Sequence, residues 1–350
     1  MRIRQYPSLI RQLMKDMSQL NQKIWSDYKI NIIQIQEEIF AISQMSSTFT
    51  NKENLLALAK LLASGEPVVF LTGAGLSVSS GITPYRYTSQ AIWSNFVVEQ
   101  GTRKTFKKDP EAWWNDFWLR THEKQEFISA KPNPGHFAIT HISKRCPNVR
   151  VVTQNIDTLH TKACLDPTRI VEVHGSLGKY KCVNQQLWKN NRLFVCPYST
   201  HRVVLIPDLN QYALPNTSLE QGNLRVRVPR CPGCLDPLMP LTLLFDEKYQ
   251  SHDGFGYARA ERWFAKAKAI VFVGTSLSVN VTSEAINVGE KNGAELFNFN
   301  IMEDDTKMRG MRWILGKAEE TLMELEKAVA QEMTKTGPDG KPRMRMCAWK

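Results

Sequence analysis

The sequence predicts an α/β protein built on a doubly wound parallel sheet, with a small inserted module and an N-terminal helical extension. Short runs rich in β-branched residues alternate with stretches of helical periodicity, the pattern of strands joined by helical crossovers. Polar or glycine-rich motifs directly follow several of these runs, and ligands of such folds bind at the carboxyl ends of the strands. At 350 residues the chain is long enough for one large domain and a smaller module.

Five runs are predicted to be strands of this sheet, because they are short, apolar and bounded by turn residues. They cover residues 67–72, 149–155, 169–175, 268–274 and 294–300. Residues 55–64 have helical periodicity and precede Gly65, so a helix is predicted to end there.

The chain is expected to divide into four parts. Residues 8–28 place apolar side chains at three- and four-residue steps, so residues 1–49 are predicted to form a helical extension. The sheet domain is assigned to residues 50–178 and 250–330. Residues 179–249 contain four cysteines, prolines and many turn residues, which predicts an inserted module. Residues 331–350 are basic and rich in glycine and proline, and they are expected to be a disordered tail.

The formal net charge of +11 is concentrated near the start of the chain, at residues 225–230 and at 341–350. A basic surface favours anionic partners such as nucleic acid or chromatin, and it also improves solubility. Both interpretations stay open. Nothing in the sequence indicates the oligomeric state.

The 7 cysteines are odd in number and irregular in spacing, which argues against a secreted disulfide framework and for an intracellular, reducing compartment. The protein is expected to be located in the nucleus or the cytoplasm. The first 15 residues are basic and free of acid, as in an organelle transit peptide, so mitochondrial targeting is not excluded. No apolar run is long enough to cross a bilayer.

Residues 70–86, FLTGAGLSVSSGITPYR, place glycines and serines directly after a predicted strand. The dinucleotide fingerprint G-x-G-x-x-G requires a third glycine where this chain has Val78, so the segment fails that test. Gly73 and Gly75 allow backbone N–H groups to approach a pyrophosphate, and Arg86 can reach the same phosphates. The alternative is a tight turn without a ligand.

Polar side chains also follow the next two predicted strands. Gln154, Asn155 and Asp157 lie at the end of one predicted strand. Their polar groups suit hydrogen bonds to ribose hydroxyls and to a carboxamide. Such residues also make ordinary turns. His174 follows the other strand, and a histidine titrating near neutrality is suited to take a hydroxyl proton as general base. A structural histidine is the alternative.

The segment GTSLSV, residues 274–279, repeats the order of glycine and then hydroxyls at a strand end. It is consistent with a second set of phosphate or ribose contacts. Asn300 ends the last predicted strand and is placed to bind the distal ribose.

Four cysteines in the inserted module indicate a metal site. Cys231 and Cys234 have the C-x-x-C spacing at which two thiolates bind one tetrahedral zinc ion. Cys182 is expected to be a third ligand, although no cysteine follows it at the matching spacing. Cys196 is the preferred fourth ligand, His201 is its alternative, and a metal-free module stays open.

Six segments in this order and spacing resemble the sirtuins, which are NAD-dependent protein-lysine deacylases. They are GAGLSVSSGITPYR, TQNIDTLH, VEVHGS, CPGC followed by FDE, GTSLSV and FNFN. The resemblance extends from about Leu55 to Leu325. It implies a Rossmann-like domain, NAD as cofactor, one structural Zn²⁺ site, and an acylated protein or peptide lysine as partner. The implied products are nicotinamide, deacylated lysine and O-acyl-ADP-ribose.

The resemblance also implies a role for each site residue. His174 is implied to be the general base, acting with Asn155 and Asp157. Residues 241–249 are implied to form the strand that pairs with the substrate peptide. The implied cofactor-binding residues are Gly73, Ala74, Gly75, Ser77, Tyr85, Arg86, Gln154, Asn155, Ile156, Asp157, Gly274, Thr275, Ser276 and Asn300.

Two segments depart from the family pattern. Thr83 and Pro84 precede the Tyr85–Arg86 pair, and a proline stiffens a loop whose movement matters. Asp246 stands where the family commonly has glycine, and it cannot adopt glycine conformations cheaply. These departures keep two alternatives open on the same site. One is a protein ADP-ribosyltransferase or NAD hydrolase, and the other is a weakly active module that binds NAD or ADP-ribose.

Overall fold

The computed structural model describes residues 12, 15, 18, 19, 50–82, 91–122, 125–184, 187–189, 192–302 and 310–335. The chain divides into two compact units, residues 1–52 and 53–350. All described residues of the first unit are helical. Most of the expected extension and the expected tail after residue 335 lie outside the described residues.

The second unit contains two kinds of sheet. Its described strands, in chain order, are β1 Val68–Thr72, β2 Val149–Thr153, β3 Ile170–Glu172, β4 Gly175–Cys182, β5 Leu187–Lys189, β6 Arg192–Phe194, β7 Val204–Leu205, β8 Leu238–Thr242, β9 Ala269–Val273, β10 Glu295–Asn300 and β11 Met311–Leu315. Six of them form a parallel sheet in the order β11-β10-β9-β1-β2-β3. The prediction of a doubly wound parallel sheet is confirmed. Five of its strands match the predicted runs, and β11 was not predicted.

The described helices of the second unit lie mainly between these strands. They are α1 at residues 53–63, α2 Ala91–Gln100, α3 Arg103–Lys108, α4 Pro110–Ala112, the π-helix Trp113–Trp118, α5 Leu119–His122, α6 Gln125–Ser129, α7 Pro134–Arg145, α8 Leu159–Lys162, α9 Tyr257–Lys266, α10 Asn280–Lys291 and α11 Ala318–Thr334. Helix α11 continues past residue 330, so residues 331–334 belong to it and not to a tail. Within the described chain, no helix combines the length and the apolar character that a bilayer crossing requires.

Both faces of the parallel sheet are buried, because successive side chains of a strand point to opposite faces. Val68 and Phe70 of β1 pack into one core with α1, α7 and α11. Val69 and Leu71 pack into the other core with α9 and α10. This double burial explains why the predicted strands are continuous apolar runs rather than alternating ones.

In and next to the predicted module, residues 179–249, a three-stranded antiparallel sheet has the order β7-β4-β8, and β5 pairs with β6 as a hairpin. The three-stranded sheet packs against an aromatic cluster on the π-helix. Trp114 stacks on Tyr180 with ring centroids 5.6 Å apart and donates to the carbonyl of Leu238 at 2.9 Å. These contacts join the module to the segment between β1 and β2.

The strand order reverses at β1. The chain passes from β1 to β2 and β3 on one side, and it returns with β9, β10 and β11 on the other. A crevice opens outside the carboxyl ends of the strands at such a point. Gly73 follows β1 and Gly274 follows β9, so both glycine loops lie at this crevice. The fold therefore brings the strand-end motifs together.

Two buried histidines lie next to the end of β1. His136 and His160 pack edge to face with ring centroids 5.1 Å apart, and His160 Nε2 lies 3.0 Å from Thr72 Oγ1. Burial lowers the pKa of His136 to about 4. Burial, and then the charge of His136, lowers the pKa of His160 well below its usual value. Both rings are therefore neutral in the folded protein at neutral pH.

Lowering the pH from about 7.5 to about 5 is expected to reduce the free energy of unfolding, by up to about 1.4 kcal/mol per pH unit for each of these rings. The unfolded chain binds protons on them below a pKa of about 6.5. The folded chain binds a proton on His136 only near pH 4. Urea denaturation at both pH values measures the loss.

His136→Gln removes one of the two titrating histidines. The variant is therefore expected to lose less of its free energy of unfolding on acidification than the wild type does. His201→Gln changes an exposed ring and serves as the matched control, with an unchanged loss. An equal loss in all three proteins would contradict the contribution of His136.

Candidate active site

The glycine loop after β1 is held in place by the start of α7. Gly73 is followed by a 3-10 turn, Ala74–Ser80. The side-chain amide of Asn133 donates to the carbonyl of Leu76 at 2.7 Å and to Ser80 Oγ at 3.0 Å. The oxygen of the same side chain accepts from the backbone N–H of Gly135 at 2.9 Å. One buried asparagine thus caps α7 and supports the loop.

The two glycine loops touch through their backbones. The N–H of Gly75 donates to the carbonyl of Gly274 at 2.8 Å. A Cβ on Gly75 would lie 2.7 Å from Gly274, and a Cβ on Gly274 would lie 2.4 Å from the nitrogen of Leu76. Gly274 also has a φ of +57°, which side-chain-bearing residues rarely adopt. Both positions therefore require glycine.

A buried polar cluster lies against the first loop. Ser77 Oγ donates to Asp157 Oδ2 at 2.6 Å. The amide of Asn155 lies 3.0 Å from the carbonyl of Gly73 and 3.1 Å from Ser77 Oγ. Burial raises the pKa of Asp157, and the hydrogen bond from Ser77 opposes this shift. The structure therefore brings together these residues from the ends of β1 and β2, as expected.

A second polar group forms around Thr275, in the loop after β9. Gln154 Nε2 lies 3.2 Å from Thr275 Oγ1, and the amide of Asn300 donates to the Thr275 carbonyl at 3.1 Å. Ser276 Oγ lies 2.8 Å from the hydroxyl of Ser278. Three strand ends, those of β2, β9 and β10, are therefore linked by these side chains.

Ile156 is half-buried against the cluster formed by the module, and its carbonyl accepts from the N–H of Leu177 at 3.0 Å. Tyr85 and Arg86 lie outside the described residues, as do Thr83 and Pro84.

His174 lies at the same edge, directly after β3. Its ring hydrogen-bonds the backbone of Gln154, and its Nε2 lies 3.2 Å from the hydroxyl of Tyr249. Burial lowers the pKa of His174 to about 4, although the Gln154 contact raises it. The ring is therefore neutral at neutral pH. Tyr249 ends the segment 241–249 that was implied to pair with the peptide, but its contact with His174 was not predicted, because 75 positions separate the two residues.

The segment 243–247, which follows β8 and turns at residues 245–246, runs beside His174. The N–H of Leu243 donates to the carbonyl of His174 at 2.9 Å, and the N–H of Phe245 donates to the carbonyl of Gly101 at 3.0 Å. Phe245 is 63% exposed. The segment continues β8, which is the last strand of the module's three-stranded sheet as described.

Asp246 fastens this segment to the start of α3, and Glu247 fastens it to β4. The carboxylate of Asp246 accepts the backbone N–H groups of Arg103 at 2.7 Å and Lys104 at 3.1 Å. Glu247 forms a buried ion pair with Lys181 at 2.7 Å. Asp246 is not among the described non-glycine residues with a positive φ, so the expected conflict with a glycine conformation does not arise.

The four predicted cysteines of the module converge. Cys182 Sγ lies 3.4 Å from Cys234 Sγ, Cys196 Sγ lies 3.6 Å from Cys231 Sγ, and all four sulfurs lie within 4.8 Å of one another. Around a tetrahedral zinc ion with bonds of about 2.3 Å, sulfurs are separated by about 3.8 Å. The donor set fits Zn²⁺. His201 is not in this group; its ring lies 2.8 Å from Thr200 Oγ1.

The purified protein is expected to contain about one zinc ion per chain, because four thiolates close a tetrahedral site. Cys196→Ser is expected to reduce the zinc content and the thermal stability, whereas His201→Ser is the matched control and should change neither. Elemental analysis by mass spectrometry measures the content. Unchanged zinc in Cys196→Ser would remove this residue from the site.

Comparison with known proteins identifies the family. A sequence model of the Sir2 family matches residues 73–281. NAD-dependent deacetylase sir2E of Dictyostelium discoideum is 41% identical over 292 residues, which cover 83% of this chain and 82% of that protein. An NAD-dependent protein deacylase of Pseudomonas putida is 31% identical over 259 residues, which cover 73% of this chain and 87% of that protein.

Solved structures agree. A structure from work on the mechanism and regulation of Sir2 enzymes has a TM-score of 0.57 and 26% identity, covering 80% of this chain and 99% of its own. A Sir2 homologue in complex with NAD has a TM-score of 0.56 and 26% identity, covering 79% and 93%. The family match and the Dictyostelium relative each span most of this chain, so the chain belongs to the Sir2 family, the sirtuins.

Proposed function

We propose that this protein is an NAD-dependent protein-lysine deacylase, which converts NAD and an acylated lysine into nicotinamide, free lysine and O-acyl-ADP-ribose. The position of His174 carries the proposal. Its ring contacts the backbone of Gln154, and its carbonyl accepts from Leu243 of the segment 243–247. The base is therefore adjacent both to the polar strand ends and to a segment able to hold a peptide. Relatives named NAD-dependent deacetylase or deacylase support this function.

The polar strand ends fit a dinucleotide, whose riboses and pyrophosphate offer hydroxyls and phosphate oxygens to such groups. Gly73, Ala74 and Gly75 are proposed to let the pyrophosphate approach the backbone. Tyr85 and Arg86 are proposed for the pyrophosphate and nicotinamide-ribose side. The remaining proposed residues are Ser77, Gln154, Asn155, Ile156 and Asp157 for the nicotinamide half, and Gly274, Thr275, Ser276 and Asn300 for the adenosine half.

Bound NAD supplies the ribose carbon that takes up the acyl oxygen when nicotinamide leaves. His174 is proposed to accept a proton from a ribose hydroxyl, for which its ring must be neutral. The pKa of about 4 keeps the ring neutral well below the pH at which an ordinary histidine becomes charged. Asn155 and Asp157, joined through Ser77, are proposed to hold the reacting ribose and the carboxamide.

The segment 243–247 is proposed to hold the substrate peptide. An extended peptide adds to an exposed strand edge through main-chain hydrogen bonds. Leu243 donates to the carbonyl of His174, so a peptide on this edge lies next to the base. The exposed ring of Phe245 is proposed to cover apolar parts of that peptide.

The cysteine cluster is proposed to hold a structural zinc ion. Cys182 ends β4, Cys196 follows the β5–β6 hairpin, and Cys231 and Cys234 precede β8. Four protein ligands leave no open position for catalysis, so the metal would join these parts of the module. We retain the division into a sheet domain, residues 50–178 and 250–330, and an inserted module, residues 179–249, as part of the proposal.

The basic segments are proposed, on charge alone, to favour nucleic acid or chromatin. Residues 341–350 lie outside the described residues. In the basic stretch 225–230, Arg225 pairs with Asp116 at 3.4 Å, and Arg227 and Arg230 are exposed. An intracellular address, whether nuclear, cytoplasmic or mitochondrial, is likewise a proposal.

Incubation with NAD and a series of acetylated and longer-chain acyl peptides tests the function, with mass spectrometry of peptide and nucleotide. We expect deacylated peptide together with O-acyl-ADP-ribose. Free or protein-linked ADP-ribose without deacylation would indicate a hydrolase or transferase. Unchanged NAD would indicate a binding module.

His174→Ala is expected to lower the deacylation rate by about 100-fold or more, the usual effect of removing a general base, while the protein still binds ADP-ribose. His201→Ala, at an exposed ring of the module, is the control and should retain the wild-type rate. A near wild-type rate in His174→Ala would contradict the base assignment.

Asp246→Ala is expected to raise the KM for the acyl peptide by about fivefold, because two hydrogen bonds that order the peptide-binding segment are lost. The KM for NAD should stay unchanged, since Asp246 contacts α3 and not the glycine loops. Asp166→Ala removes an exposed cap elsewhere and is the matched control. A parallel rise in both KM values would contradict a role confined to the peptide side.

A further inference from the structure

Tyr249 is stacked between His174 and a second tyrosine. Its ring centroid lies 5.9 Å from that of His174 with an interplanar angle of 19°, and 4.5 Å from that of Tyr257 with an angle of 13°. Its hydroxyl lies 3.2 Å from His174 Nε2. The three rings come from the end of β3, from the 3-10 turn Tyr249–Ser251 and from the start of α9. The proposed base therefore has an aromatic hydroxyl as its direct neighbour.

The hydrogen bonds around this pair indicate where the protons lie. The hydroxyl of Tyr249 and Nε2 of His174 share one hydrogen bond, and the tautomer of the ring decides which of them donates. In the neutral tautomer that carries its proton on Nδ1, Nε2 has a free lone pair and accepts the O–H of Tyr249. The ring of His174 also bonds the backbone of Gln154, for which Nδ1 is the remaining nitrogen. Both ring nitrogens thus have protein partners.

This arrangement limits how His174 can act as a base. A hydroxyl that is to lose its proton needs a free lone pair, and Tyr249 occupies the one on Nε2. Either Tyr249 moves away or the proton passes through it. Tyr249 packs on Tyr257, which is only 9% exposed, and it also stacks on His174. These contacts hold the phenol in place, which favours the second route.

We propose that Tyr249 is a proton relay between His174 and the hydroxyl that is deprotonated in the reaction; this rests on the proposed deacylase function. The reacting hydroxyl gives its proton to Tyr249 Oη as the phenol gives its own proton to His174 Nε2. The phenol is neutral before and after the step, and the imidazole becomes an imidazolium. The hydroxyl oxygen retains the electron pair with which it attacks. The proton count is therefore balanced without a further reactant.

Tyr249→Phe tests the relay, because it keeps the stacked ring and removes only the hydroxyl. We expect the deacylation rate at saturating NAD and peptide to fall by about tenfold to a hundredfold, the range for loss of one proton-transfer group. Return of labelled nicotinamide into NAD precedes the proton transfer, so this exchange should continue at the wild-type rate. Tyr257→Phe keeps the stack, and it is the matched control with unchanged deacylation and exchange.

Other outcomes would overturn the relay. Unchanged or faster deacylation in Tyr249→Phe, with a lower KM for NAD, would mean that Tyr249 only blocks Nε2 before the cofactor binds. Equal losses of exchange and deacylation, with a lower melting temperature, would mean that the hydroxyl serves only the packing. If the wild-type protein does not deacylate any peptide, the proposed function fails first, and ADP-ribose formation then distinguishes that failure from failure of the relay.

Discussion

At the carboxyl edge of the sheet, the loops after β1 and β9 touch through bare backbone, with the N–H of Gly75 2.8 Å from the carbonyl of Gly274. The surrounding polar side chains form hydrogen bonds to these loops as well as to one another. Asn155 bonds the carbonyl of Gly73, while Gln154 and Asn300 both bond Thr275. A side chain at either glycine would separate the loops and break these bonds. Hydrogen bonding at the site thus depends on a backbone contact.

Burial at this edge acts on acids and bases alike. It raises the pKa of Asp157 and lowers the pKa of His174, because removal from water disfavours the charged form of either group. Charges in such an environment interact more strongly than in water. The neutral imidazole of His174 and the raised pKa of Asp157 are thus both consequences of burial. Burial keeps the ring of His174 unprotonated at neutral pH, whereas a carboxylate partner would raise its pKa.

Sequence analysis predicted the parts of the site that local chemistry specifies. The strand-end motifs could be predicted because buried parallel strands are continuous apolar runs, and glycines mark close backbone approach. Strand β11 was missed, since Arg312 is exposed on this edge strand and interrupts the apolar run. The contact of Tyr249 with His174 was missed for another reason: it arises only from folding. The bonds of Asp246 to α3 likewise join positions 143 and 142 residues apart.

The two sides of the candidate site are constrained by different physical means. On the proposed cofactor side, Gly75 and Gly274 leave no room for a Cβ, so steric clashes exclude other residues at these positions. On the side of segment 243–247, position is set by side chains, through the bonds of Asp246 to α3 and the buried pair of Glu247 with Lys181. A change at position 246, such as aspartate for glycine, can therefore shift the position of the proposed peptide-binding edge while the two glycine loops stay in contact. The proposed peptide side can therefore accept substitutions that the two glycines of the proposed cofactor side cannot.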